Sequence, residues 1–167
     1  MSLESLKIVY RCTFNSVINY GLPFCGISPH CKHIFIMQKR IVRIMLGCRR
    51  LASCRNLFRK LKISPFSSQY IFSIAMLIVK NKHQFIVNSE IHNINTRQHS
   101  NFHQPAPNLT GFKQGIHYSG VKIYNNLPLD IKQLSDNPRL FEQKLKKFLH
   151  FYSFYSLEEY FQYNLSF

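Results

Sequence analysis

Between Glu4 and Glu90 the sequence contains no aspartate or glutamate. Over the whole chain 7 acidic side chains face 22 lysines and arginines, a formal net charge of +15. Two of the acids are aspartates, Asp130 and Asp136, and both sit beside a Leu-Pro turn where capping and turn formation account for them. A polymerase holds two cations against the transferring phosphate with clustered carboxylates, usually including an adjacent Asp pair, and no such cluster occurs here. The one adjacent acidic pair, Glu158-Glu159, opens a short helical pattern, where negative charge favours the helix dipole. No catalytic residue is assigned, and the chain is read as a non-enzyme. Long apolar runs are also missing. The longest, Tyr70 to Val79, is about half the roughly 20 residues a membrane-spanning helix needs, and Ser73 interrupts it. Glu4, Lys7 and Arg11 break the apolar segment an export signal would require. Five cysteines, Cys12, Cys25, Cys31, Cys48 and Cys54, make an odd number that fits reduced thiols better than disulfides. The expectation is an intracellular chain, nuclear or cytoplasmic, neither secreted nor in a membrane.

What is abundant is material for a core. Hydrophobic residues make up 46% and aromatics 14%, with 15 Phe and 9 Tyr, and 167 residues is the size of one domain. Helical spacing dominates. Leu6, Val9, Tyr10, Val17 and Tyr20 share one helical face, with Gly21 and Pro23 as the terminator. From Lys32 the pattern resumes with Ile34, Met37, Ile41, Ile44 and Met45 inward and Gly47 at the end. Ser53 is placed to cap a short helix packing Leu57, Phe58 and Leu61, and Ser64-Pro65 opens an apolar helix from Phe66 to about Lys82. Val121, Tyr124 and Leu127 lie a turn apart before Pro128 stops their helix. Ser135 or Asp136 then caps another, with Pro138 in its first turn and an apolar stripe at Leu140, Phe141, Leu145, Phe148 and Leu149. Ser156 with Glu159 forms a capping box for a last short helix.

From Asn88 to Gly115 the period disappears among Asn, His, Pro and Gly. Short strands at His92–Thr96 and Gly115–Tyr118 are candidates for a hairpin. The expected fold class is therefore mainly α, a compact multi-helix domain with a short β-hairpin or an irregular insertion. Three regions are expected: a basic helical one over 1–87, an irregular connection or hairpin over 88–117, and a C-terminal helical one over 118–167 on the same core. Repeats, heptads and glycine-serine linkers are absent.

The cations are not spread evenly. Lys32, Lys39, Arg40, Arg43, Arg49, Arg50, Arg55, Arg59, Lys60 and Lys62 fall in one acid-free segment, which holds six of the nine arginines. A solvated helix face usually mixes charge signs. An A/T-rich genome would raise lysine but not arginine. Guanidinium groups suit bidentate phosphate contact, so these ten residues are the candidate nucleic-acid-binding set, acting on RNA, DNA or hybrid backbone with little sequence readout. Cys25, His30, Cys31 and His33 lie close together, but no distant ligand pair with finger spacing follows, so no metal is assigned. No cofactor and no small-molecule substrate is expected.

The box Tyr124-Asn125-Asn126-Leu127-Pro128, followed by a helix, resembles the tail that follows the polymerase domain in the reverse transcriptase of jockey-like non-LTR retrotransposons. The resemblance also runs through Tyr20-Gly21, Gln38-Lys39-Arg40 and Ser53-Cys54-Arg55-Asn56-Leu57-Phe58 to Leu61 and Ile63, and spans roughly Leu6 to Phe161. It implies a non-catalytic region that holds template RNA or target DNA while a separate palm domain carries out RNA-directed DNA synthesis. Where that family commonly has tryptophan this chain has Cys25, and it has no tryptophan anywhere, which suits a decayed or truncated copy. The alternative is a structural module that docks on a polymerase domain without touching nucleic acid.

Overall fold

Pro65 fixes the entry to a helix that the sequence then leaves free of glycine and proline until Lys80. That helix, α5 (Phe66–Lys80), is the axis of the fold. The computed structural model describes residues 2–25, 31–91, 101–104 and 116–163. Around α5 stand α1 (Leu3–Tyr10), a π-helical turn (Arg11–Asn15), α2 (Ser16–Cys25), α3 (Cys31–Met45) and α4 (Arg55–Leu61). A 3₁₀ turn (Lys82–Gln84) and α6 (Asn88–Ile91) follow, then α7 (Ile116–Asn125), α8 (Leu129–Lys132), α9 (Pro138–Tyr152) and α10 (Leu157–Tyr163). The chain is mainly helical, and among the described residues there is no sheet, only an isolated antiparallel bridge between Val87 and Phe102.

Tyr70, Ile71, Ile74, Ala75 and Ile78 of α5 are buried against α2, α7 and α9. Full burial of each isoleucine stabilises by roughly 1.5–3 kcal/mol, and the stripe runs the length of the helix. Gly120 sets the α5–α7 spacing, since a Cβ there would lie 2.9 Å from Ile78 Cδ1 and 3.2 Å from Ile74 Cγ2. A second, smaller cluster joins Tyr10, Val42, Met45, Phe58, Leu61 and Ile63 between α1, α3 and α4. Among the described residues no single helix is long and apolar enough to cross a membrane.

The Tyr-Asn-Asn-Leu-Pro box is a structural junction. Tyr124 and Leu127 are buried. Asn125 clamps the backbone of Phe102 from both sides, accepting from its amide at 3.0 Å and donating to its carbonyl at 2.8 Å. Asn126 donates to the Tyr160 carbonyl at 3.0 Å, and the Pro128 carbonyl starts α8 by accepting from Ile131 and Lys132. Lys132 donates to the Asn125 carbonyl and to Asn101 Oδ1, and partial burial lowers its ammonium from the usual lysine range.

Several local expectations are corrected. Val17 and Tyr20 are 75% and 89% exposed rather than inward. The π turn is the reason: it adds a residue to the turn, so the inward series becomes Tyr10, Phe14, Ile18 and Leu22. Thr13 and Ser16 widen that stretch by donating back to the carbonyls of Val9 and Cys12. Helix α2 runs through Gly21 and Pro23 to Cys25, absorbing the lost amide bond in its final turn. In α3 the inward side holds Cys31, Gln38, Val42 and Met45, so Met37 and Ile44 face out. Cys54, not Ser53, precedes α4, and Asn137, not Ser135 or Asp136, caps α9 by accepting from the Leu140 amide. Leu140 is exposed, while Phe141, Leu145 and Leu149 are buried. The expected hairpin fails at its second strand, because 116–118 form the first turn of α7; His92–Thr96 lies outside the described residues.

Candidate nucleic-acid interface

The ten candidate cations come from α3, the 46–54 loop and α4, and the local chemistry of that loop decides where they point. Gly47, at φ 63°, ends α3 with a pair of reversed bonds, Cys48 amide to Arg43 carbonyl at 2.9 Å and Gly47 amide to Ile44 carbonyl at 3.1 Å. Arg43 Nε then donates to the Ala52 carbonyl at 2.9 Å and ties the loop back to α3. Helix α4 closes with the same bond pair, Ile63 amide to Phe58 carbonyl and Lys62 amide to Arg59 carbonyl, but with Lys62 at φ 55° where glycine is usual. Ile63 packs with Phe58 in the smaller core cluster, which holds that turn in place.

Three of the ten serve the fold. Arg43 is the loop anchor just described. Arg55 Nη1 meets Glu159 Oε1 at 2.6 Å, and its guanidinium lies 4.6 Å from the Tyr155 ring centroid. That hydrogen bond raises the Arg55 pKa further above its ordinary value. Lys39 Nζ sits 4.6 Å over Phe35 and 6.0 Å over Tyr155. Tyr155 is thereby wedged among Phe35, Phe58 and two cations, and burial pushes its hydroxyl up to about 12. Glu159, read from sequence only as a capping residue, both accepts from the Tyr155 amide and pins Arg55. Glu158 is held below the usual range first by its bond with Ser156, and Lys32 adds to that.

The other seven, Lys32, Arg40, Arg49, Arg50, Arg59, Lys60 and Lys62, are exposed. Among the described residues the ion pairs take only Arg55 from the ten. Nothing acidic lies on α3, the loop or α4 to offset these charges. The surface can therefore accept phosphate oxygens without first breaking internal ion pairs. Among the described residues no three His, Cys, Asp or Glu side chains come together for a metal, and the side chains of Cys25 and His30 lie outside the described part. Burial pushes the Cys54 thiol up, against the charges of Arg43 and Lys39, which disfavours the reactive thiolate.

One feature lies beyond the ten-residue set. A groove of about 1260 Å³ runs between the N-terminal helices, α5 and α9, and Arg11, Lys62, Lys80, Lys146 and Lys147 line it. Of these only Lys62 belonged to the set read from sequence, because the others are single cations scattered from residue 11 to residue 147 and only folding gathers them. Comparison with protein-family models, with curated proteins and with solved structures gives no match.

Proposed function

We propose that this chain is a non-catalytic nucleic-acid-binding region that holds backbone phosphates across α3, the 46–54 loop and α4. The single observation behind it is that Arg40, Arg49, Arg50, Arg59 and Lys60 are exposed on α3, the 46–54 loop and α4, which carry no carboxylate. The resemblance to the post-polymerase tail of jockey-like reverse transcriptases supplies the context: a region that positions template RNA or target DNA for a polymerase domain outside this chain. Binding of this kind is dominated by counterion release and carries little sequence preference.

The test is anisotropy of a labelled RNA hairpin over a salt series. Neutralising about four phosphates gives a log–log slope near −3 to −4, so affinity drops on the order of a hundredfold between 50 and 200 mM salt. Arg49→Glu with Arg50→Glu, both exposed, flattens that slope. Absence of salt-dependent binding overturns the reading.

A second reading is docking on a polymerase domain without nucleic-acid contact. It draws on large apolar side chains left in solvent on α2 and the loop, Tyr20 and Leu51, the latter 94% exposed. Concentration-dependent self-association that is relieved by Leu51→Ser, together with RNA binding indifferent to the arginine reversals, favours this alternative.

A further inference from the structure

We propose that the groove between the N-terminal helices, α5 and α9 seats a single-stranded nucleic-acid segment, with bases against Phe151 and phosphates held by Arg11, Lys62, Lys80 and Lys147. This deepens the preceding reading and rests on it, but it names a different surface and a narrower ligand.

Size is the first argument. At about 1260 Å³ the groove exceeds the roughly 300–1,000 Å³ of sites built for one small molecule, so a polymer segment fits it better. Charge is the second. Among the described residues five cations line it against one carboxylate, Glu142, which Lys146 already pairs. The third is the kind of surface between those charges. Phe151, 67% exposed, offers a ring on the rim, and Phe72, Met76 and Leu77 make an apolar floor. Every base has a π face, so aromatic stacking with a basic border is the usual way to hold a strand whose bases are unpaired. A duplex presents its phosphates outward and keeps its bases stacked on one another, so it gains nothing from such a floor.

The walls also carry polar groups left incomplete. Among the described residues Gln69 Oε1 and His150 Nε2 have no hydrogen-bond partner, and both side chains belong to the lining of the groove. Continuity with the arginine surface comes from α4. Lys62, at its end, lines the groove, and the Arg59 guanidinium lies 6.0 Å from the centroid of Phe151, which lines it too. A strand leaving the arginine surface therefore meets the groove directly.

The experiment compares a labelled oligouridylate with the RNA hairpin, using the wild type, Phe151→Ala, Phe151→Tyr and the pair Lys80→Glu with Lys147→Glu. All three positions are exposed, and unchanged helical circular dichroism checks that each variant is folded. Loss of the stacking ring weakens oligouridylate binding roughly tenfold or more, leaves hairpin affinity within about twofold, and is rescued by tyrosine. The charge pair weakens oligouridylate binding more than hairpin binding. If the wild type binds the hairpin with a steep salt slope while no groove substitution alters oligouridylate binding, the groove assignment falls and the backbone reading stands. If the wild type binds neither RNA, both fall.

Discussion

Replacing Gln38 with methionine tests how the two halves of the N-terminal region are joined. The side chain is fully buried, and its amide donates to the Tyr10 hydroxyl at 2.8 Å and to the Ser64 carbonyl at 3.0 Å, while its oxygen accepts from the Phe66 amide at 2.8 Å. Phe66 is the first residue of α5, and Pro65 before it has no side chain with which to cap. Gln38 thus caps α5 from another helix. Methionine fills nearly the same volume, so packing changes little and the polar losses are isolated. The Ser64 carbonyl keeps a bond from Gln69 at 2.8 Å and is not orphaned. The Phe66 amide is orphaned, at about 1–3 kcal/mol, and the loss of the bond to the Tyr10 hydroxyl adds about 1 kcal/mol. The sum, about 2–4 kcal/mol, corresponds to a fall of about 1–2 M in the urea midpoint for an m-value near 2 kcal/mol per molar. Circular dichroism reads the midpoint, and hydrogen exchange reads the Phe66 amide, which becomes unprotected. A shift under about 0.3 M with that amide still protected refutes remote capping.

Lys62→Gly separates strain from binding: releasing a lysine from its left-handed conformation raises stability by about 1 kcal/mol, while removing one cation reduces the salt slope by about one. Urea unfolding and salt-series anisotropy measure the two effects, and a destabilised variant contradicts the assignment of strain. The buried phenols predict alkaline lability. Burial raises Tyr10, Tyr70 and Tyr155 above the ordinary value of 10.0, with Tyr155 at about 12. Because the folded values lie above the unfolded one, the stability they contribute is complete below about pH 10 and is lost as pH climbs towards 12. Urea midpoints that stay level over that interval, with tyrosinate absorbance already fully developed, contradict the burial.

Much of the fold was legible because period and burial agree in the long apolar helices. The helix read from Phe66 to about Lys82, from its Ser64-Pro65 entry and apolar run, is observed as Phe66–Lys80, and α9 shows both its proline entry and its buried stripe. Legibility stopped where a local rule gave way to tertiary structure. The π turn at Arg11–Asn15 rotates everything after it, and no regular 3.6-residue period predicts that Phe14 and Ile18 replace Val17 and Tyr20 inside. In α3 a glutamine takes the centre of the inward face, since three partners from other elements satisfy it there. The basic segment was visible as an interval without acid. Which of its members are committed to the fold was not, because Glu159 and Tyr155 reach Arg55 from the far end of the sequence. The groove was invisible for the same reason.

That long reach also bears on how the chain is made. Phe35 and Phe58 pack against each other within the first 60 residues, yet the ring that completes their packing belongs to Tyr155, and the Arg55–Glu159 contact spans 104 residues. At about 5–20 residues per second, synthesis leaves those two phenylalanines without their last neighbour for roughly 5–20 seconds. During that interval the nascent chain exposes an apolar face beside a dense row of cations, and the ribosome around it is largely RNA. Until Tyr155 is made, Phe35 and Phe58 keep one edge open beside Lys39 and Arg55, the two cations its ring later meets.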